Sequence, residues 1–306
     1  MNLNPITQTN LYGLNDYFNE LALLYKDNRL PSKILFSGPK GVGKSTLSYH
    51  LVNFILSMGN EFSYDLDKLS IDKENKDYKL LINGSNPNFL LIDVSPEKKM
   101  IDISQIRNLI NILKKTSFNS KPRFILIDNI EYLNLNSINA LLKILEEPPE
   151  NTYFLLVQSN NKIAPTLSSR CLNFKINISN KDFIKISNKL LNANIFDLIN
   201  KDLVDYYSTP GKIFNLVKFS RENDIDIKEL DLKNFLTFLI DKSYYKKDSV
   251  AKSLIFDFLE LYLVNKFFLF QAGLSNYFLN KINNTKMYNL DDETLFLEIR
   301  AKLLNE

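Results

Sequence analysis

A single cysteine, Cys171, stands in a chain of 306 residues. That scarcity excludes an internal disulfide and any multi-cysteine zinc site, and it suits a reducing cytosol. The excess of positive charge is only +3, too little to argue for nucleic acid by itself. No long apolar run is uninterrupted: residues 250–270, the most apolar late stretch, contain Lys252, Asp257, Glu260 and Lys266, so they read as a buried helix and not as a membrane span. The first residues lack the basic-then-apolar pattern of a secretory leader. No internal repeat and no low-complexity tract is present. These absences leave a soluble, intracellular protein as the expectation. The length allows about two or three domains with a substantial core.

What is there centres on Ile34-Leu35-Phe36-Ser37-Gly38-Pro39-Lys40-Gly41-Val42-Gly43-Lys44-Ser45-Thr46. An apolar strand runs into G-x-x-x-x-G-K-[ST], and Leu47, Leu51, Phe54, Ile55 and Met58 follow at helical spacing. A strand before and a helix behind give a Walker A string the context of a phosphate site. Its glycines let successive backbone N–H groups, from about Gly41 to Ser45, converge on a phosphate at a helix N-terminus. Lys44 reaches the β- and γ-phosphates as a point charge and the Ser45 hydroxyl holds Mg²⁺. A loop that keeps the shape without filling is the alternative.

Around it, residues 17–25 form an amphipathic helix that stops at Pro31, with Leu11 to Gly13 placed near a base. Residues 59–88 turn charged, with Asp65, Asp67, Asp72, Lys73, Glu74, Lys76 and Asp77 in succession, and are expected to be an exposed, mobile insertion closed by a turn at 83–87. Residues 89–93 read as a strand, and Asp102 with Gln105 as a capping box opening a helix. Residues 123–128 are a strand ending in Asp128, a Walker B candidate for the Mg²⁺ shell; an acid capping the next turn is the plainer reading. A helix over 136–147 stops at Pro148-Pro149. Residues 153–157 are a fourth strand, and the alternation through 172–178 a fifth. Strands and helices alternate through 34–178, which predicts an α/β fold with a parallel sheet wrapped by helices. Only helical patterns follow, broken at Ser208-Thr209-Pro210-Gly211, with aromatic stripes at Phe235, Phe238, Phe256 and Phe267 to Phe270. His50, the only histidine, and Cys171 read as packed residues without chemistry. Lys98, Lys99, Lys114, Lys115, Lys121 and Arg123 supply local positive charge that reads first as a solvated face.

Four blocks resemble the AAA+ clamp-loader family, its delta-prime branch most. These are the loop Gly38–Thr46; Ile127-Asp128 followed by Asn139-Ala140-Leu141-Leu142-Lys143-Ile144-Leu145-Glu146-Glu147-Pro148-Pro149; Phe154-Leu155-Leu156 with Ser159; and Ser169-Arg170-Cys171. The likeness covers about residues 5–178, and the remainder in outline. It implies an AAA+ base with a five-stranded parallel sheet over 1–178, a small helical lid over 179–225 and a helical collar over 226–306 that holds five subunits in an open ring. It implies ATP and Mg²⁺, with Gly38, Gly41, Val42, Gly43, Lys44, Ser45, Thr46 and Asp128 around them and Ser45 and Asp128 toward the metal. Ser159 is similar to the sensor-1 residue. Lys212 falls where the lid carries its basic sensor-2 residue, usually arginine. Arg170 resembles an arginine finger acting in trans on the next subunit's ATP, a local pair with Glu146 or Glu147 being the alternative. The implied partners are delta and gamma/tau subunits in a hetero-pentamer, the sliding clamp, and primed DNA without sequence readout.

Two departures qualify the resemblance. Where AAA+ motors carry a glutamate that orients water, this chain has Asn129, and an amide cannot accept that proton. Glu131 is expected to point elsewhere. The four-cysteine module of many relatives is missing, so zinc is not expected. The resulting expectation is a replication subunit that binds ATP weakly or without turnover, lends Arg170 to a neighbour, and helps load the sliding clamp. A gamma/tau-type motor and another P-loop NTPase, such as a helicase loader, stay open as alternatives.

Overall fold

The computed structural model describes residues 3–95, 98, 100–115, 119–159, 163–205, 208–265, 272–288 and 290–304. Lys99, Lys266 and Phe267 to Phe270, singled out above, lie outside them. The chain divides into two compact units, residues 1–182 and 183–306.

In the first unit, α1 (Asn15–Lys26) leads to β1 (Lys33–Gly38), α2 (Lys44–Ser57) and α3 (Lys76–Ile82). Then come β2 (Phe89–Ile92), α4 (Ile103–Leu113), β3 (Arg123–Ile127), α5 (Leu135–Glu146), β4 (Thr152–Ser159), α6 (Pro165–Ser168) and β5 (Leu172–Lys175). The five strands lie in the order β2-β3-β4-β1-β5, every pairing parallel. Strands covered on both faces can be apolar at consecutive positions, and each face has its own core. Ile34, Phe36, Phe124, Leu126, Leu155 and Val157 pack with Phe18, Leu21, Leu47 and Leu51 of α1 and α2. Leu35, Ile125, Ile127, Phe154 and Leu156 face Ile106, Leu109, Leu141 and Leu145 of α4 and α5. The capping box at α4 is formed, with Gln105 Oε1 accepting from the Asp102 N–H at 3.1 Å.

Residues 59–88 correct the expectation of an exposed insertion. Tyr64, Leu69, Ile71, Tyr78 and Leu81 are buried in the core that covers α2. The Tyr64 ring stacks on Phe18 with centroids 4.9 Å apart. Asp77, one of the acids that make the stretch look solvated, is buried and accepts from Asn60 at 2.8 Å and from Lys121 at 3.1 Å. The basic residues weighed as a solvated face are also engaged. Lys121 donates to the Leu56 carbonyl at 2.6 Å, Arg123 to the Lys115 carbonyl at 3.1 Å, and Lys98 pairs with Asp102.

In the second unit every regular element among the described residues is a helix. α7 (Asn180–Leu191) and α8 (Ile195–Leu198) precede α9 (Pro210–Glu222), whose start at Thr209-Pro210 is the sequence break noted above. α10 (Leu232–Asp241), α11 (Tyr244–Lys247), α12 (Ser249–Asn265), α13 (Ala272–Tyr288) and α14 (Asp292–Lys302) follow. Their aromatic stripes are core: Phe235 meets Phe258 edge-on at 5.4 Å and Phe256 meets Phe296 at 5.0 Å. Among the described residues no helix is long and apolar enough to cross a membrane.

Candidate functional site

Parallel pairing puts the C-terminal ends of β1, β3 and β4 at one edge, where loops carry ligand chemistry in open α/β sheets. At that edge the chain leaves β1 through Gly38, Gly41 and Gly43 at φ values of 148°, 89° and 96°. The need for glycine is sharpest at Gly38, where a Cβ would lie 2.3 Å from the Ile176 carbonyl oxygen. Val42 is buried within the loop. Gly43 caps α2, so Lys44, Ser45 and Thr46 open a 14-residue helix whose first N–H groups have no intrahelical acceptor. An anion is favoured at such a terminus.

Lys44 is only 4% exposed. Its ammonium donates to the carbonyls of Gly38 at 2.9 Å and Pro39 at 2.7 Å. Burial pulls its pKa down to about 8, against the opposing pull of Asp128 and Glu131. The Ser45 hydroxyl donates to Asp128 Oδ2 at 2.6 Å, joining the helix start to the turn after β3. Asp128 is raised above the ordinary carboxylate range, first by burial and further by Asp93, with the Ser45 hydrogen bond opposing. A hydroxyl and a carboxylate in contact at 2.6 Å, hard oxygen donors at the start of α2, fit Mg²⁺ carried by a nucleotide. Among the described residues no group of three or more His, Cys, Asp or Glu is placed to hold a metal alone.

Asn129 takes the left-handed conformation at φ 55°, ψ 47°, which asparagine tolerates. Its side-chain amide donates to Asp93 Oδ1 at 2.9 Å, tying β3 to the end of β2. Here the structure corrects the expectation for Glu131. The reversal at Asn129 and the 3-10 turn Ile130–Tyr132 carry that carboxylate back toward β4, and Oε1 accepts from the Ser159 backbone N–H at 3.1 Å. Burial raises its pKa, with Lys44 opposing and Asp128 reinforcing. Its Oε2 is buried without a partner. An asparagine at 129 followed two residues on by an acid was the available signal. Ser159 ends β4 directly opposite Gly38 of β1. The site thus brings together Gly38, Lys44, Ser45, Asp128, Glu131 and Ser159.

Arg170 and Lys212 are placed differently. Arg170 sits at the surface, its side chain 34% exposed. The guanidinium donates to Glu146 Oε1 from Nη2 at 2.7 Å and Nε at 3.2 Å, and from Nη1 to the Thr166 carbonyl at 2.9 Å. This is the local pair weighed from the sequence. Lys212, in the second unit, pairs with Asp257 at 3.1 Å. Burial pushes the Cys171 thiol up to about 11, so it is no nucleophile at neutral pH.

A family described as DNA polymerase III, delta subunit, matches residues 13–180. The chain is similar to DNA polymerase III subunit gamma of Buchnera aphidicola subsp. Schizaphis graminum, 30% identical over 229 residues, 70% of this chain and 61% of that protein. It is 30% identical over 139 residues to DNA polymerase III subunit delta' of Pseudomonas aeruginosa, 45% of this chain and 40% of that one. Against the delta' subunit of the same Buchnera strain, identity is 26% over 291 residues, 87% and 83% of the two chains. The chain therefore spans 61% and 40% of the length of the first two curated relatives. A solved gamma subunit-related protein of Thermotoga maritima aligns over 92% of this chain and 97% of its own, at 17% identity and a TM-score of 0.44.

Proposed function

Since the chain belongs to the DNA polymerase III delta-subunit family of AAA+ clamp-loader proteins, we propose that it is a delta-prime-like clamp-loader subunit of the bacterial cytoplasm. It holds ATP with little or no turnover and lends Arg170 to a neighbouring ATPase subunit. In this reading delta and gamma/tau subunits complete a hetero-pentamer, residues 179–225 serve as lid and 226–306 as collar. The assembly loads the sliding clamp on primed DNA during replication.

One observation supports the division of labour above the rest. The groups that hold a magnesium nucleotide are assembled, while the side chain at 129 is an amide engaged with Asp93 at 2.9 Å. N–H groups from Gly41 to Thr46 and the Lys44 ammonium would take the phosphates, and Ser45 and Asp128 the metal. When bound, Mg²⁺ would neutralise part of the phosphate charge. Asn129 cannot take a proton from water, and loss of a general base costs on the order of a hundredfold in rate or more. Arg170 lies outside this pocket, half-exposed, on a surface carboxylate it can leave cheaply. A planar guanidinium suits a γ-phosphate better than an ammonium does, and such a finger contributes about 10³–10⁵ in rate.

The test is Arg170→Ala in the reconstituted complex. ATPase at the one site it completes should fall by about 10³-fold or more, seen as a partial loss of total turnover. Folding and ATP affinity of the isolated chain should stay unchanged. Normal turnover in the mutant complex would return Arg170 to its pair with Glu146. Robust ATPase in the isolated wild-type chain would favour a gamma/tau-type motor instead.

A further inference from the structure

Glu131 has no part in the reading above, yet its geometry is the least explained in the pocket. A partly buried carboxylate with a partnerless buried oxygen is a cost to the fold unless something uses it. Its backbone is well fixed. Ile130 and Leu133 on either side are buried at 2% and 5% exposure, and the Tyr132 carbonyl accepts from the Ile101 N–H at 2.9 Å. The side chain is therefore delivered to the end of β4 by a rigid turn. There Oε1 holds the Ser159 N–H at 3.1 Å. Ser159 is in register with Gly38, whose carbonyl in turn holds the Lys44 ammonium at 2.9 Å. The row Glu131, Ser159, Gly38, Lys44 thus crosses the site from the turn after Asp128 to the phosphate loop.

We propose that Glu131 is the positioning residue for Ser159. By fixing the end of β4 against the Walker B turn, it sets the Ser159 side chain to distinguish a triphosphate from a diphosphate. The proposal rests on the nucleotide-site reading above and adds the residue that gives the site its selectivity. The Oε1 atom is committed to the Ser159 N–H. The Oε2 atom is buried without a partner, and the carboxylate as a whole lies within electrostatic reach of Lys44 and Asp128.

The experiment is calorimetric titration of the full chain with Mg²⁺ and either a non-hydrolysable ATP analogue or ADP. Glu131→Ala should weaken the ATP analogue about tenfold, the size of one lost charge-assisted hydrogen bond, and leave ADP within about twofold. Ser159→Ala should do the same. The double variant should be no weaker than the weaker single one, because the two side chains act as a unit. Glu131→Gln keeps an oxygen for the Ser159 N–H and should retain the ATP preference. Should Glu131→Ala not fold, Ser159→Ala and Glu131→Gln decide the matter by the same criteria. Additive losses in the double variant, equal weakening of both nucleotides, or a Gln variant as indifferent as Ser159→Ala each overturn the coupling while leaving the pocket intact. An unmutated chain that takes up neither nucleotide overturns the pocket reading, and this inference with it.

Discussion

At pH 7 the imidazole of His50 is neutral, and two hydrogen bonds fix which nitrogen carries the proton. The Gln8 carbonyl, 3.2 Å from Nε2, can only accept, so Nε2 bears the hydrogen. Nδ1 then accepts from the Tyr64 hydroxyl at 2.8 Å. Burial pulls the pKa down to about 4, with the Gln8 hydrogen bond opposing. The ordinary value of about 6.5 applies to the unfolded chain, so between these two pH values the unfolded state binds the extra proton. Stability is therefore full above pH 6.5 and falls with pH by about 1.4 kcal/mol per unit, a total near 3 kcal/mol by pH 4. Urea denaturation of the wild type and His50→Gln across pH 4–7.5 isolates this term. The two stability curves should differ by an amount that changes with pH in that window alone; parallel curves would show that His50 is not held neutral. That a lone histidine on the helix behind the loop is structural was legible from the sequence. Its partners were not, because Gln8 and Tyr64 reach it from two segments that carry no pattern pointing there.

At the scale of elements, the strands and the phosphate loop were legible because each is written in contiguous residues. Continuous apolar runs such as Phe124 to Ile127 demand cover on both faces, and the loop's glycines sit where its backbone turns left-handed. The segment 59–88 was misread because charged residues outnumber its apolar ones, and a count by composition does not show which side chains share a face. Tyr64 is what binds that segment down. Its ring stacks on Phe18 at 4.9 Å and meets Phe54 edge-on at 6.0 Å, while its hydroxyl meets His50. Tyr64→Ala should cost about 3–5 kcal/mol, in the range for losing a large buried aromatic, read as a shift of the denaturation midpoint at unchanged slope. A cost below about 1 kcal/mol would mean the segment merely lies across α2. The turn at 129–132 escaped the sequence for a different reason. Where Glu131 points depends on one left-handed residue, and no hydrophobic period encodes that.

At the scale of the molecule, each unit has a core of its own. The sheet cores serve residues 1–182, and Phe235, Leu259, Leu263, Phe278 and Phe296 are buried within residues 183–306. A unit with its own core can fold without its neighbour. Residues 1–178 alone should therefore unfold cooperatively and still titrate with nucleotide, since Lys44, Ser45, Asp128 and Ser159 all lie inside that span. Lys212 is the one proposed nucleotide residue outside it. Its pair with Asp257 leaves both side chains 35% exposed, so the attraction is worth about 1 kcal/mol or less. If Lys212 serves the nucleotide as a sensor, Lys212→Ala in the full chain and removal of residues 179–306 should weaken the ATP analogue by the same modest factor, about three- to tenfold. ADP should be held as before in both. Should the fragment bind as tightly as the full chain, or Lys212→Ala change nothing, Lys212 belongs to Asp257 and the phosphate chemistry is complete within the first unit. Because the comparison uses one titration for both proteins, a fragment that loses far more than the point variant would locate further nucleotide contacts in residues 179–306 beyond Lys212.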